Sequence, residues 1–460
     1  MNNHYKSRRR GWRRSWSFVA ATTGATIGLG NLWKFSYLAG ENGGAAFVLA
    51  YLICIVVVAM PVMIAEVVLG SRGRSNPVST MQDVSLEAGA SSSWQLIGWL
   101  GCIAGLLVLS YYSVIAGWSF AYVGKLLGGE FVAASAQLSG DMFNNLLAAP
   151  ALLMQWQAFF LLSILLVVAL GVRKGISVAA RLLIPLLLVM LIALAIYSSQ
   201  VGDFKAAAEF LFQPDFSALN QQALLDALGH AFFTLSIGVG AMMAYGAYVP
   251  DQRSITGMVS TVVLMDTLVS VLAGLAIFPL VFSLNMAPAM GPGLMFVAMP
   301  YGFGNMIYGN YFGALFFVMV SLAAITSGVA LLEPATVWLA QQFRWWRPVA
   351  AVVMVLVVWL LGLATIFSFN IWQDIDLFGM SVFSFLDFVT ANLMLPVGGF
   401  MTAIFVGWVM RKEVLRDELY VESRQIFSLW HWLLRYIAAP GVLVVFLWSL
   451  SPWLKNLFIE

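Results

Sequence analysis

The stretch Gly24-Ala25-Thr26-Ile27-Gly28-Leu29-Gly30-Asn31 lies in the middle of an apolar run at about residues 16–40, and its reading decides the fold. Three glycines and an asparagine at the centre of a bilayer-length segment predict an interrupted helix. An unwound turn at membrane depth frees carbonyls and amides that are costly when unsatisfied, so it persists only where protein encloses it or it lines a cavity. A second stretch, Phe233-Thr234-Leu235-Ser236-Ile237-Gly238-Val239-Gly240, interrupts the run 222–249. Paired breaks five segments apart point to two inverted repeats around a midplane site. Close helix packing through small residues is the plainer reading of Gly24 and Gly28. It does not explain Asn31, Thr234 and Ser236, which add polar groups at the bilayer centre.

Outward from these breaks the chain keeps the same character. Of its 460 residues 61% are hydrophobic and 10% charged, with a mean hydropathy of +0.90. Soluble domains hold about 25% charged residues, so a soluble globule and a disordered chain are excluded. About 20 mostly apolar residues span a bilayer as a helix. That rule predicts an all-α polytopic membrane protein of eleven segments: 16–40, 45–70, 95–127, 152–171, 177–200, 222–249, 258–285, 309–343, 348–369, 380–411 and 430–453.

The organisation expected is a cytoplasmic tail (1–15), a first five-helix repeat (16–200), an outer loop (201–221), a second repeat (222–411), then an inner loop with segment 11 (412–460). The tail, with Lys6, Arg8, Arg9, Arg10, Arg13 and Arg14, is too basic for a cleaved signal peptide. With it inside, 19 of the 23 Lys and Arg fall on inner loops, and only Lys125, Lys205 and Lys455 outside. That bias satisfies the positive-inside rule and leaves the C-terminus outside. The outer stretch 128–150 reads as a polar loop; 201–221 and 286–308 have room for short helices, and the second, with Pro288, Pro292 and Pro300, could form a lid. The +2 net charge forms no basic stripe for nucleic acid. Cys54 and Cys102 sit in apolar stretches and make no disulfide framework.

Ionisable groups inside spans are functional candidates by default. They are Glu66, Asp266, Glu333 and Asp387. A desolvated carboxylate such as Asp266 must be protonated or bound to a cation; a structural bond to a nearby hydroxyl is the alternative. Glu66 would cap the segment 6 break by accepting amide protons, with structural and functional roles both open. Glu333, before Pro334, reads as structural, and His230 as a satisfied hydrogen-bonding residue rather than a ligand. Freed carbonyls, hydroxyls and amide oxygens are good ligands for a hard cation. Half-helix N-termini favour an anionic group. One pair of broken helices can therefore hold a sodium ion and a carboxylate together. No nucleophile–base pair or metal cluster can be assembled, which argues against an enzyme.

At these residues the chain resembles the neurotransmitter:sodium symporters, in their bacterial amino-acid-transporting branch. The signature runs Arg9-Arg10-Gly11-Trp12, GLGNLWKF (28–35), ENGGAAF (41–47), Tyr111-Tyr112, Trp118, FFTLSIGVG (232–240), Asp266 and Thr326-Ser327. The match continues in order from residue 9 to about 411. The resemblance implies two sodium sites. The first would use the Thr26 carbonyl, Asn31, Thr234, Asp266 and the substrate carboxylate. The second would use carbonyls of Gly24, Ile27 and Ala323 with the hydroxyls of Thr326 and Ser327. The substrate carboxylate would meet the amides of Leu29 and Gly30 and the Tyr112 hydroxyl. The amino group would meet carbonyls around Thr26, Phe233, Thr234 and Ser236, in a pocket walled by Val108, Phe233, Ser236, Val239 and Leu331.

Monoamine-transporting relatives place an aspartate at the position of Gly28. A glycine there implies a substrate that brings its own carboxylate, an α-amino acid. With no acidic residue in the implied pocket and a small Val239, its side chain would be neutral, hydrophobic or aromatic. Asp266 stands where some members have asparagine, which implies no chloride requirement. Lys34 replaces the usual outer-gate arginine and would pair with Asp387. Gln341 stands where the inner-gate partner of Arg9 is usually acidic. The resemblance thus implies sodium-coupled import across a bacterial inner membrane by alternating access, by a monomer or a homodimer. A transporter of the same fold driven by other ions, and a binding-only amino-acid sensor, are the rivals.

Overall fold

Among the described residues nine unbroken helices are long and apolar enough to cross a membrane. They are Ala45–Gly73, Ser92–Leu127, Pro150–Ala169, Val172–Val201, Ile255–Ser283, Gly309–Gln342, Arg347–Ser368, Val382–Val409 and Arg424–Leu450. The computed structural model describes residues 15–285 and 293–459. The two remaining spans are the interrupted ones, and they complete the expected eleven. Segment 1 runs as Ser15–Thr26, then a wide π-helical turn Gly30–Lys34 and a last helix Phe35–Glu41. Segment 6 runs as Gln221–Thr234 and Ala241–Gly246.

Contacts between connections show that the spans alternate in direction. At one end, Arg72 at the close of segment 2 meets Glu87 and Glu418, and Arg74 meets Asp251 after segment 6. There too Arg347 of segment 9 donates to the Val168 carbonyl of segment 4, and Asn76 donates to Gln341 at the close of segment 8. At the opposite end Ser139 donates to the Val297 carbonyl, Tyr197 to Ile307 and Asn370 to Leu147. Of these nine spans, segments 3 and 8 are the most enclosed: 78% of their most apolar stretch is buried, against 33% in segments 4 and 5. These two helices flank the breaks and supply walls to the cavity between them.

Some connections carry more structure than the sequence pattern suggested. Pro77–Glu87 is a helix between segments 2 and 3, started by the Asn76 side chain, which accepts the Ser79 amide, and by proline in the first turn. The stretch 128–150, expected as a loop, holds the helix Ala136–Leu147, capped by Ser135. Leu294–Gly304 is helical as expected, whereas Pro288 and Pro292 of the anticipated lid lie outside the described residues. Segment 11 begins at Arg424, earlier than the apolar run suggested, because its first turns are amphipathic and bury Phe427, Trp430 and His431. Glu333, expected to be structural, is fully buried and ion-paired to Arg347.

Candidate functional site

The two breaks face each other, and several of their freed backbone groups are met by side chains, some from the same segment and some from others. Ser236 donates to the Ala25 carbonyl at 3.1 Å. Ser327 of segment 8 donates to the Ile27 carbonyl at 2.9 Å and lies 3.5 Å from that of Gly24. Thr326 donates to the Ala323 carbonyl at 2.9 Å. The Leu29 amide reaches the Tyr112 hydroxyl at 3.4 Å, and the Gly28 amide donates to Asn31 Oδ1 at 3.0 Å. Residues 26–31, 323–327 and Tyr112 therefore converge on one turn.

Segment 6 breaks because its backbone turns left-handed at Ser236 (φ +52°), Gly238 (φ +84°) and Gly240 (φ +71°). A side chain on Gly238 would also place its Cβ 2.5 Å from the Leu395 carbonyl of segment 10, so only glycine fits. Glu66 caps this break: its Oε1 accepts the Gly238 amide at 2.8 Å. The capping role read from the sequence is present.

Asp266 is fully buried. Its carboxylate accepts from Asn31 Nδ2 (2.8 Å), Thr234 Oγ1 (3.1 Å to each oxygen) and Tyr51 Oη (3.1 Å). Asn31 Nδ2 also lies 3.0 Å from Ser270 Oγ. Each of these donors is neutral, and among the described residues no basic side chain is ion-paired to Asp266. A buried carboxylate ringed by neutral oxygens and an amide is a donor set that suits a hard monovalent cation.

One cavity opens between the breaks. Thr26, Gly28, Leu29, Gly30, Val108, Tyr112, Phe233, Thr234, Ser236, Val239 and Leu331, the residues expected around a substrate, all line it. Ala25, Ser327 and Leu395 line it as well. Leu395 carries no signal in the sequence, being one apolar residue among many; Ser327 is expected there only as a cation ligand. The lining holds no ionisable side chain other than Tyr112. At Gly28 a Cβ would lie 2.5 Å from Ser327 Oγ and 2.9 Å from Tyr112 Oη, so this point of the wall is bare backbone.

The gate residues behave differently from expectation. Lys34 makes no ion pair with Asp387 among the described residues; its ammonium sits 4.4 Å from the centre of the Phe233 ring, a cation–π contact with a cavity wall. Arg9 lies outside the described residues. Gln341 accepts from Asn76 (2.5 Å) and Ser75 (3.3 Å) at the start of the Pro77–Glu87 helix. His230 is not the satisfied residue expected: it packs on Phe35 and Tyr51, and among the described residues neither ring nitrogen has a hydrogen-bond partner.

Comparison with known proteins agrees with this geometry along nearly the whole chain. The sequence pattern of the sodium:neurotransmitter symporter family matches residues 9–137 and 147–457. The sodium-dependent transporter YhdH of Bacillus subtilis strain 168 is 34% identical, over 95% of this chain and 96% of its own. A sodium-dependent transporter of Haemophilus influenzae is 29% identical, over 96% and 98%. The crystal structure of MhsT in complex with L-phenylalanine superposes with a TM-score of 0.88 at 38% identity, covering 96% of this chain and 100% of that one. The chain belongs to the sodium:neurotransmitter symporter family and is a sodium-dependent membrane transporter of a small molecule, not an enzyme.

Proposed function

We propose that the protein imports a neutral, hydrophobic or aromatic L-amino acid together with two sodium ions, without chloride, and with its arginine-rich end in the cytoplasm. The observation that carries this reading is the bare backbone at Gly28, set between Tyr112 Oη and Ser327 Oγ beside the Leu29 and Gly30 amides. A substrate carboxylate fits there, as hydrogen bonds from amides and a hydroxyl to an ionised acceptor are the strong ones. The substrate ammonium turns to the carbonyl side of the breaks. Val108, Val239, Leu331 and Leu395 then surround an apolar side chain, and no acid or base is present to pair a charged one. The complex of MhsT with L-phenylalanine is in keeping with such a substrate.

Sodium site one consists of the Thr26 carbonyl, Asn31, Thr234, Asp266 and the substrate carboxylate. Asn31 now turns its amide NH2 toward Asp266, so holding the ion requires its Oδ1 there instead, a half-turn of the side-chain amide. Asp266 brings a fixed negative charge to this site, and no chloride is needed beside it. Sodium site two consists of the Gly24, Ile27 and Ala323 carbonyls with the Thr326 and Ser327 hydroxyls.

The two sites differ in what they join. The protein ligands of site one all lie on segments 1, 6 and 7, which move as one bundle with segment 2, tied in through Glu66 and Gly238. Site two bridges segment 1 to the fixed segment 8 through Ser327. Losing the ion from site two therefore frees the first half of segment 1 and opens the cytoplasmic side. On the outer side Lys34 holds Phe233 across the cavity, taking the role expected of a Lys34–Asp387 pair.

Competition binding tests the carboxylate cradle. Under saturating sodium, L-phenylalanine should displace labelled substrate, whereas phenethylamine, which lacks the carboxylate, should be weaker by at least a hundredfold. Equal competition by the two would refute it.

A further inference from the structure

At the arginine-rich end a cavity of about 360 Å³ opens between the close of segment 10 and the first turns of segment 11. It lies far from the substrate cavity, and nothing in the transport reading uses it. We propose that this cavity, lined by Trp408, Lys412, Ser428, His431, Arg435 and Tyr436, binds the phosphate headgroup of an anionic phospholipid. With the orientation proposed above, the lipid belongs to the cytoplasmic leaflet.

Three observations carry the inference. The first is charge: two cations and a histidine line the cavity and no carboxylate does. Among the described residues neither Lys412 nor Arg435 is ion-paired. The second is an unmet donor. Arg435 lies with its guanidinium 5.0 Å from the centre of the Trp408 ring and 5.7 Å from that of Tyr436, while its Nε is buried without a hydrogen-bond partner among the described residues. The planar guanidinium fork matches phosphate oxygens bidentately. The third is location. Trp408, Trp432 and Tyr436 are exposed at the end of two spans, which is where amphipathic aromatic rings meet headgroups. A zwitterionic lipid would bring its own ammonium against Lys412 and Arg435, so the lining selects a headgroup that is negative overall.

The cavity also touches the moving machinery. Lys412 opens the short helix Lys412–Glu418, and Glu418 accepts from Ser71 (3.0 Å) and Arg72 (3.2 Å) of segment 2. Glu422 accepts from Ser254 and from the Thr256 amide at the start of segment 7. A headgroup that holds Lys412 and Arg435 steadies the strut joining segments 2 and 7 to segments 10 and 11.

The test is retention of phosphatidylglycerol by the purified protein in neutral detergent, read by native mass spectrometry without sodium or amino acid, so that its failure is separate from failure of the transport reading. The unsubstituted protein should keep phosphatidylglycerol in preference to phosphatidylcholine. Lys412→Gln and Arg435→Gln should each weaken retention about fivefold, the effect of one basic residue near an anionic surface. Lys205→Gln, at the opposite end, should change nothing. Equal retention of both lipids, or of phosphatidylglycerol by all four proteins, overturns the proposal. Displacement of the lipid by millimolar glycerol phosphate overturns the lipid assignment in favour of a soluble phosphate. Should Arg435→Gln fail to fold, Lys412→Gln decides alone, because Lys412 is exposed.

Discussion

Replacing Gly28 by alanine adds one methyl group where the structure has no place for it. The new Cβ would lie 2.5 Å from Ser327 Oγ, 2.9 Å from Tyr112 Oη and 3.1 Å from Ser327 Cβ. Neither hydroxyl is free to retreat: Ser327 is bonded to the Ile27 carbonyl at 2.9 Å and Tyr112 to the Leu29 amide at 3.4 Å. Overpacking an enclosed site costs roughly 1–3 kcal/mol, and each hydrogen bond lost adds about 0.5–1.5 kcal/mol. With one bond lost the total is about 1.5–4.5 kcal/mol, which, charged against the bound state, weakens binding by about tenfold or more. The assay is equilibrium binding of labelled L-phenylalanine under saturating sodium, with the melting temperature as a check on folding. Gly30→Ala is the comparator. Its Cβ would meet only the Phe233 ring, at 3.2 and 3.3 Å, and a ring that shifts by a few tenths of an ångström limits the loss to a few-fold. Gly28→Ala binding within threefold of the unsubstituted protein, with sodium dependence unchanged, would refute the assignment of the carboxylate cradle.

Three further outcomes follow from the same geometry. Asp266→Asn removes the buried charge of site one. Sodium affinity should fall tenfold or more, and chloride should now stimulate binding; an unchanged sodium titration in gluconate would contradict the role given to Asp266. Glu66→Ala leaves the Gly238 amide buried without a partner, at a cost of about 1–3 kcal/mol. The denaturation midpoint should drop accordingly, with Glu66→Gln restoring part of the loss. Outside the spans, the hydrogen bond from Arg72 holds the Glu87 carboxyl below its ordinary value of 4.5. A carboxylate so depressed stabilises the fold above its unfolded pKa, and the effect fades as pH falls through the folded one. The stability difference between the unsubstituted protein and Glu87→Gln should therefore be present at pH 7 and vanish in strong acid, in a thermal melt followed against pH.

Much of the site was legible because its residues break a local rule. Asparagine, threonine and serine beside glycines at the centre of apolar spans are costly in lipid, and a mid-span carboxylate such as Asp266 is costlier still. Those anomalies marked both halves of the cavity before any contact was known. What stayed hidden broke no rule. Leu395 reaches the cavity because segment 10 packs on Gly238, a long-range contact with no local trace. Lys34 settles on Phe233 rather than Asp387 because a flexible ammonium takes whichever partner the fold brings near, which spacing does not encode. Gln341 is bound by Asn76, so its lack of charge is matched by a neutral partner from another connection. The Asn76-Pro77 start of an extra helix was readable in principle, as a capping residue followed by proline at the first position. The Arg435 cavity illustrates the converse: its arginine merely counted toward the inner-side bias until the structure showed it without a carboxylate.

The central claim, coupled transport of an amino acid, is tested most directly by uptake into sealed liposomes containing the purified protein. Labelled L-phenylalanine, L-leucine and L-tryptophan are supplied under an inward sodium gradient and, in parallel, with potassium in place of sodium, gluconate replacing chloride throughout. Accumulation of at least one of them above the outside concentration, only with sodium and without chloride, is the predicted result. Sodium-dependent binding without accumulation, or uptake indifferent to sodium, would contradict it.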